Sequence, residues 1–386
     1  MNINPTSSAP DESEIAARLQ RLQRLMVTQC LDYYLCHDPD NIFYLTNFAN
    51  FVHERPFILV IPQSGTPIFL MPKLEEQHVR VRSVGELEYL HYFEFPAPEG
   101  QRWSDRLLDV LGADHRVGIE SNCPYSVVET IPGSAVAADL VESLREIKSD
   151  YEISRIAHTC DLLNEGLRTL LEMSEPGQLP ILIHKEVSGA LMQRQLLENP
   201  NTNMLNTKFN AVTQPGSLSD DPHNFTDTFC ALAKGGPNVC IVQGLANGYG
   251  AELERTFFID SVPEKAVKPF GDMLDARALA YELLRPGASM SEIDCRVTDL
   301  LKSRGHAEQL LHRTGHGFGV TDHEGPFLAE GYDREVQANM VFSIEPGIYI
   351  PGLGGFRFSD TVLVTDTGPQ KLTSAPETLS ELTISA

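Results

Sequence analysis

Histidine, glutamate and arginine gather among glycines in five segments of the second half of the sequence. They are Pro222-His223-Asn224; residues 248–257 with Glu252, Glu254 and Arg255; Gly315-His316-Gly317-Phe318-Gly319 with His323-Glu324-Gly325-Pro326; Ile344-Glu345-Pro346-Gly347; and Gly355-Phe356-Arg357-Phe358-Ser359-Asp360. Imidazoles exchange protons near neutral pH and suit acid–base work. Each segment also has a plainer reading. A lone histidine can be a hydrogen-bonded structural group, and a glutamate beside Pro-Gly a solvated turn residue. Glu254-Arg255 can be a surface ion pair worth little, and Arg357 can pair structurally with Asp360. Were the Glu252 segment a strand, Glu252 and Glu254 would share one face, because alternate residues point the same way.

The elements that must position these residues follow from periodicity. Asp11 to Gln29 predicts a helix, with Asp11 and Glu14 as a capping pair and Ile15, Leu19, Leu22 and Met26 on one face. Short apolar runs follow at Phe43–Leu45, Phe57–Ile61, Pro67–Met71 and Val117–Ile119; Ser64-Gly65 marks a hairpin, and Trp103–Leu111 a helix. From Tyr151 another helical stretch runs to Pro176-Gly177, and a second runs from Pro269 to Pro286-Gly287. Amphipathic helices at Leu182–Leu197 and Ser291–Lys302 come next, and β-rich segments at Ala231–Ile259 and Val341–Val364 follow the two copies. The recurrence predicts an internal duplication, two α/β halves enclosing a site to which both contribute.

Composition narrows the partners. The 386 residues are 42% hydrophobic and 22% charged, enough for two or three ordinary domains. A net charge of −23 argues against nucleic acid and favours neutral or cationic small molecules. The longest dense apolar run, Phe57–Ile61, is far short of the roughly 20 residues that span a bilayer. The first residues resemble no signal peptide. Seven cysteines without a Cys-x-x-Cys predict free thiols in a reducing compartment, hence a cytoplasmic protein.

Taken together and in order, the five segments resemble the creatinase, prolidase, aminopeptidase P and methionine aminopeptidase family. Leu144-Arg145-Glu146-Ile147-Lys148-Ser149, followed by Glu152-Ile153, is similar to its interdomain junction, and Glu54-Arg55-Pro56 to its amino-terminal domain. The resemblance implies an α/β (α+β) protein: a pita-bread catalytic domain with a pseudo-twofold duplication over residues 149–386. A smaller creatinase-type α/β domain would precede it over 11–148, behind a flexible tail of residues 1–10. It also implies a homodimer, in which Arg55 of the partner subunit closes the pocket.

The resemblance further implies a ligand set. The family's metallopeptidases hold two divalent ions with two Asp, one His and two Glu. Position by position the His is His316 and the first Glu is Glu345, while the second Asp is Glu252. The first Asp falls at Ile241-Val242, and the last Glu falls on Ser359, with Asp360 next. Hard divalent ions need several anionic oxygens, so these departures predict no metal. The alternative is one Mn, Zn or Fe ion on Glu252, His316 and Glu345.

Creatinase and ectoine hydrolase, the family's metal-free hydrolases, set the main expectation: metal-independent hydrolysis of a C–N bond in a small, cationic amidine- or guanidine-like compound. His223 matches creatinase's acid/base and would move the proton. Glu252 or Glu254, with Glu345, would hold the cation, and His316 and His323 would stabilise the tetrahedral centre. Arg55 and Arg357 would meet an anionic group. Creatine is disfavoured, because Gly325-Pro326-Phe327-Leu328 lacks the arginine that creatinase carries there. Two other readings stand beside this one: a metal-dependent Xaa-Pro dipeptidase or aminopeptidase with an atypical site, and an inactive binding protein.

Overall fold

The computed structural model describes residues 9–50, 54–94, 96–225, 227 and 229–385. The expected tail therefore lies largely outside the described residues. Chain contacts divide at Arg145/Glu146 into two units.

The first unit begins with the helix Glu12–Thr28, which Asp11 caps by accepting the Glu14 amide, as the capping pair predicted. Its sheet contains β1 (Tyr33–Cys36), β2 (Ile58–Pro62), β3 (Ile68–Pro72), β4 (Glu88–Tyr92), β5 (Arg116–Ile119) and β6 (Ser134–Ala137) in the order β4-β3-β2-β1-β5-β6. β2 and β3 form the antiparallel hairpin across Ser64-Gly65. Leu35, Ile58, Val60, Leu70 and Val117 pack with Leu107 and Leu111 into one buried cluster. The apolar run Phe43–Leu45 is helical, inside Pro39–Thr46. Asp38 caps that helix and Pro39 opens it, two start signals that outweigh a three-residue apolar run.

In the second unit two helix pairs recur. Asp150–Glu172 is followed by Pro180–Glu198, and Glu264–Leu283 by Met290–Ser303. Strands follow each pair: β7 (Lys208–Gln214), β8 (Gly235–Ala246) and β9 (Tyr249–Ile259) after the first; β10 (Gly315–Gly317), β11 (Glu324–Leu328), β12 (Val341–Ile344), β13 (Gly347–Ile350), β14 (Gly354–Arg357), β15 (Ser359–Thr365), β16 (Gly368–Lys371) and β17 (Thr383–Ile384) after the second. The main sheet runs β11-β10-β12-β15-β9-β8-β7, so strands from the two copies meet where β15 pairs with β9. This is the pita-bread architecture, mixed α/β, with the duplication as its organising feature. No helix among the described residues is long and apolar enough to cross a membrane. All seven cysteines are free thiols.

Candidate metal centre

Several of the expected site residues gather near the seam between the two copies. Every residue of β9 is buried, and the two-residue period of the strand turns Glu252 and Glu254 to one face. β10 brings His316 opposite Ser343 of β12. The glycines beside it are steric necessities: a Cβ at Gly315 would stand 2.2 Å from the Ser343 carbonyl oxygen, and one at Gly317 2.4 Å from that of Gly325. Only glycine lets the neighbouring strands close on His316. Glu345 follows β12, its amide bonded to the Thr314 carbonyl at 2.9 Å.

Side-chain donor atoms of Glu252, His316 and Glu345 lie within 4.8 Å of one another. His316 is fully buried and its Nε2 stands 3.4 Å from Glu345 Oε2. Its Nδ1 lies 3.0 Å from the Gly317 carbonyl, which fixes the proton on Nδ1 and leaves Nε2 bare when the ring is neutral. Glu252 Oε1 is buried without a hydrogen-bond partner. Ser343 donates to Glu345 at 3.1 Å and is bonded in turn to Ser359 at 2.8 Å.

Charge is strongly coupled here. Burial, then the neighbouring Glu345 charge, pushes Glu252 up to about 7. Burial alone would also raise Glu345, but His316 overcomes it and holds Glu345 at about 2. Burial disfavours the His316 cation, yet Glu345 outweighs it and raises that imidazole. His323 stacks on His316 with ring centroids 3.9 Å apart; burial and the His316 charge lower it to about 4. The segment bearing His323 is anchored by buried Lys148, which reaches Glu324 at 3.1 Å.

Around this cluster the remaining expected site residues take other places. Glu254 forms an ion pair with Arg357 at 2.8 Å; burial, opposed by Arg357, raises its carboxyl well above the usual range. Arg357 thus pairs with Glu254 and not with Asp360. Arg255, no surface residue, is fully buried and meets Asp360 at 2.9 Å, while Arg277 meets the other Asp360 oxygen at 2.5 Å. His223 is exposed on the loop after β7, its ring 6.2 Å from Phe225. Arg55 belongs to the first unit, half-buried and paired with Glu54 and Glu94. Sequence reading missed His312 and Tyr349, whose side chains meet at 2.8 Å. No spacing rule announces a contact between a loop residue and a hairpin residue so far along the chain.

The donor set fits one divalent ion. An imidazole and two carboxylates suit Mn, Fe or Zn. Among the described residues a second ion finds no comparable set: Ile241 and Val242 are aliphatic, Ser359 is a hydroxyl, and Asp360 is saturated by Arg255, Arg277 and Thr373.

Comparison with known proteins decides the family. Residues 154–366 match the model of metallopeptidase family M24, and residues 18–148 match the creatinase/prolidase N-terminal domain. The chain belongs to metallopeptidase family M24. An Xaa-Pro dipeptidase of Pyrococcus furiosus is 27% identical over 94% of this chain and 99% of its own length. A putative dipeptidase of Bacillus subtilis, YkvY, is 26% identical over 94% and 99%. The crystal structure of the prolidase from Pyrococcus horikoshii OT3 superposes with a TM-score of 0.81 at 22% identity, covering 94% of this chain and 99% of that one, and shows the shared fold.

These findings overturn the expected metal-independent amidine or guanidine hydrolase, and with it the expected absence of a cofactor. Family M24 is a metallopeptidase family, and the full-length relatives are named as dipeptidases. The metal-free expectation gives Glu252 and Glu345 to a cationic substrate. Their carboxylate oxygens and the bare Nε2 of His316 lie within 4.8 Å of one another, an arrangement that could hold an ion. Hydrolase chemistry itself accords with the family.

Proposed function

We propose that the protein is a metal-dependent dipeptidase acting on Xaa-Pro dipeptides, with one divalent ion held by Glu252, His316 and Glu345. The observation that carries this reading is the convergence of three donors, Glu252 and His316 buried and Glu345 half-buried, with His316 Nε2 bare and Glu252 Oε1 unpartnered. Full-length similarity to proteins named Xaa-Pro dipeptidase supports the substrate class. A bound ion supplies Lewis-acid polarisation of the scissile carbonyl and a more acidic water.

The chain's own groups do the rest. Ser343 fixes the Glu345 carboxylate. His323, stacked on His316, and His223, exposed on its loop, are the imidazoles placed to exchange protons with substrate or solvent. Arg357 offers positive charge to an anionic group of the dipeptide. A cytoplasmic homodimer belongs to the same reading, with Arg55 of the partner subunit at the pocket mouth.

A panel of Xaa-Pro dipeptides, Xaa-Ala dipeptides and tripeptides with Mn²⁺ tests the substrate class. Xaa-Pro dipeptides are expected to be turned over fastest, and sedimentation of the same sample to give a dimer. Hydrolysis confined to the non-proline peptides would contradict the specificity, and a monomer would remove Arg55 from the account.

A further inference from the structure

Building on that single-ion reading, we propose that the second positive charge of the centre is built into the chain: the Arg357 guanidinium, locked on Glu254, stands where a second metal ion would otherwise be needed. Three carboxylates, Glu252, Glu254 and Glu345, are gathered with little or no access to solvent. Such a cluster requires compensation. When all three are ionised, one divalent ion and one guanidinium match them charge for charge.

The register of the sheet explains the arrangement. Glu254 on β9 lies directly across from Ile241 on β8 and directly across from Ser359 on β15. Both flanking positions therefore lack a carboxylate, and the one carboxylate in that row belongs to Glu254. It is turned to Arg357, 2.8 Å away, and lies outside the Glu252–His316–Glu345 donor group.

Arg357 is held on several sides besides Glu254. Its Nη1 donates to the Tyr349 hydroxyl at 3.2 Å and to the Pro222 carbonyl at 3.3 Å. The hydrogen-bond directions beyond it are determined. His312 Nδ1 lies 2.9 Å from the Arg313 carbonyl, so Nδ1 carries the proton and Nε2 accepts from Tyr349 at 2.8 Å. Tyr349 has spent its one proton and can only accept from Arg357. The remaining nitrogen, Nη2, is buried and has no hydrogen-bond partner. It is a fixed donor reserved for an anionic oxygen of whatever occupies the site. Unlike an ion, this charge cannot be removed by a chelator.

Calorimetric titration of chelated wild-type protein with MnCl₂ tests the proposal. One equivalent is expected. Two equivalents would overturn the guanidinium's role while leaving the metallopeptidase reading intact; zero would overturn both. Arg357→Met leaves Glu254 as an uncompensated carboxylate beside Glu252, and a second equivalent of Mn²⁺ is expected to bind. The neutral pair Glu254→Gln/Arg357→Met should return to one. A single equivalent in Arg357→Met, or two in the double variant, would contradict the proposal. Should Arg357→Met not fold, as judged by circular dichroism, the wild-type and double-variant stoichiometries still decide it.

Discussion

Glu345→Ala is expected to abolish hydrolysis, lowering turnover by at least about 10³-fold, because it deletes one of the three donors proposed for the ion. Loss of ion-derived stabilisation is worth several kcal/mol of barrier, and each 1.4 kcal/mol is a factor of ten. Mn²⁺ affinity should fall in the same sample. The fold should survive: the Glu345 backbone is held by its own amide bond to Thr314, and Ser343 keeps its bond to Ser359. Calorimetry and kinetics on one preparation check both effects. Unchanged Mn²⁺ binding in Glu345→Ala would remove this residue from the donor set.

Asp360→Asn should destabilise the second unit by about 3–5 kcal/mol, the usual result of stripping one partner from a buried ion cluster. Arg255 and Arg277 converge on the two carboxylate oxygens, and Thr373 donates to one of them at 2.8 Å. Asparagine would leave Arg255 buried without its counter-charge and Arg277 with only the longer contact to Glu377 at 3.4 Å. Melting should drop by roughly 10 °C. Burial would raise this carboxyl, but Arg255 and Arg277 win and hold it below its ordinary 3.8. A carboxyl depressed in the folded state stabilises above its unfolded value, and that contribution disappears as pH falls through the folded one. The gap between wild type and Asp360→Asn should therefore be full at neutral pH and shrink below about pH 4. Denaturant midpoints at pH 7 and pH 3 measure it. An equal gap at both would contradict the ionised state of Asp360.

How much of this was legible in the sequence varies with the distance between the residues involved. Local signals read well. The Asp11 cap, the Ser64-Gly65 hairpin and the repeated helix, Pro-Gly, helix pattern all correspond to elements of the fold, because caps, turns and periodicity act within a few residues. Phe43–Leu45 shows the limit even there, since the deciding information was the Asp38-Pro39 start signal upstream. β7 announced itself poorly: Lys208, Asn210 and Thr213 interrupt its apolar residues, and its pairing with β8 comes from far along the chain.

At the site, residue types were legible and partnerships were not. His316, Glu345 and Glu252 stand out by motif. Glu252 and Glu254 share a face of β9, and only their partners distinguish them: Glu252 lies with His316 and Glu345, while Glu254 pairs with Arg357. Arg357, three residues before Asp360 in sequence, suggests a pair. Yet the two lie on different strands, Arg357 at the end of β14 and Asp360 in β15, and Arg357 goes to Glu254 while Asp360 goes to Arg255 and Arg277. Counting missing ligands led to the metal-free expectation, because a list of absences does not reveal that three remaining donors converge.

Removal and return of the ion tests the central claim most directly. Protein dialysed against a chelator until elemental analysis finds no transition metal should hydrolyse no Xaa-Pro dipeptide and should melt at a lower temperature. Stoichiometric Mn²⁺ should restore both turnover and melting point, since a ligand that binds only the folded state stabilises it. Full turnover by the metal-free protein, with a melting point indifferent to Mn²⁺, would contradict the account.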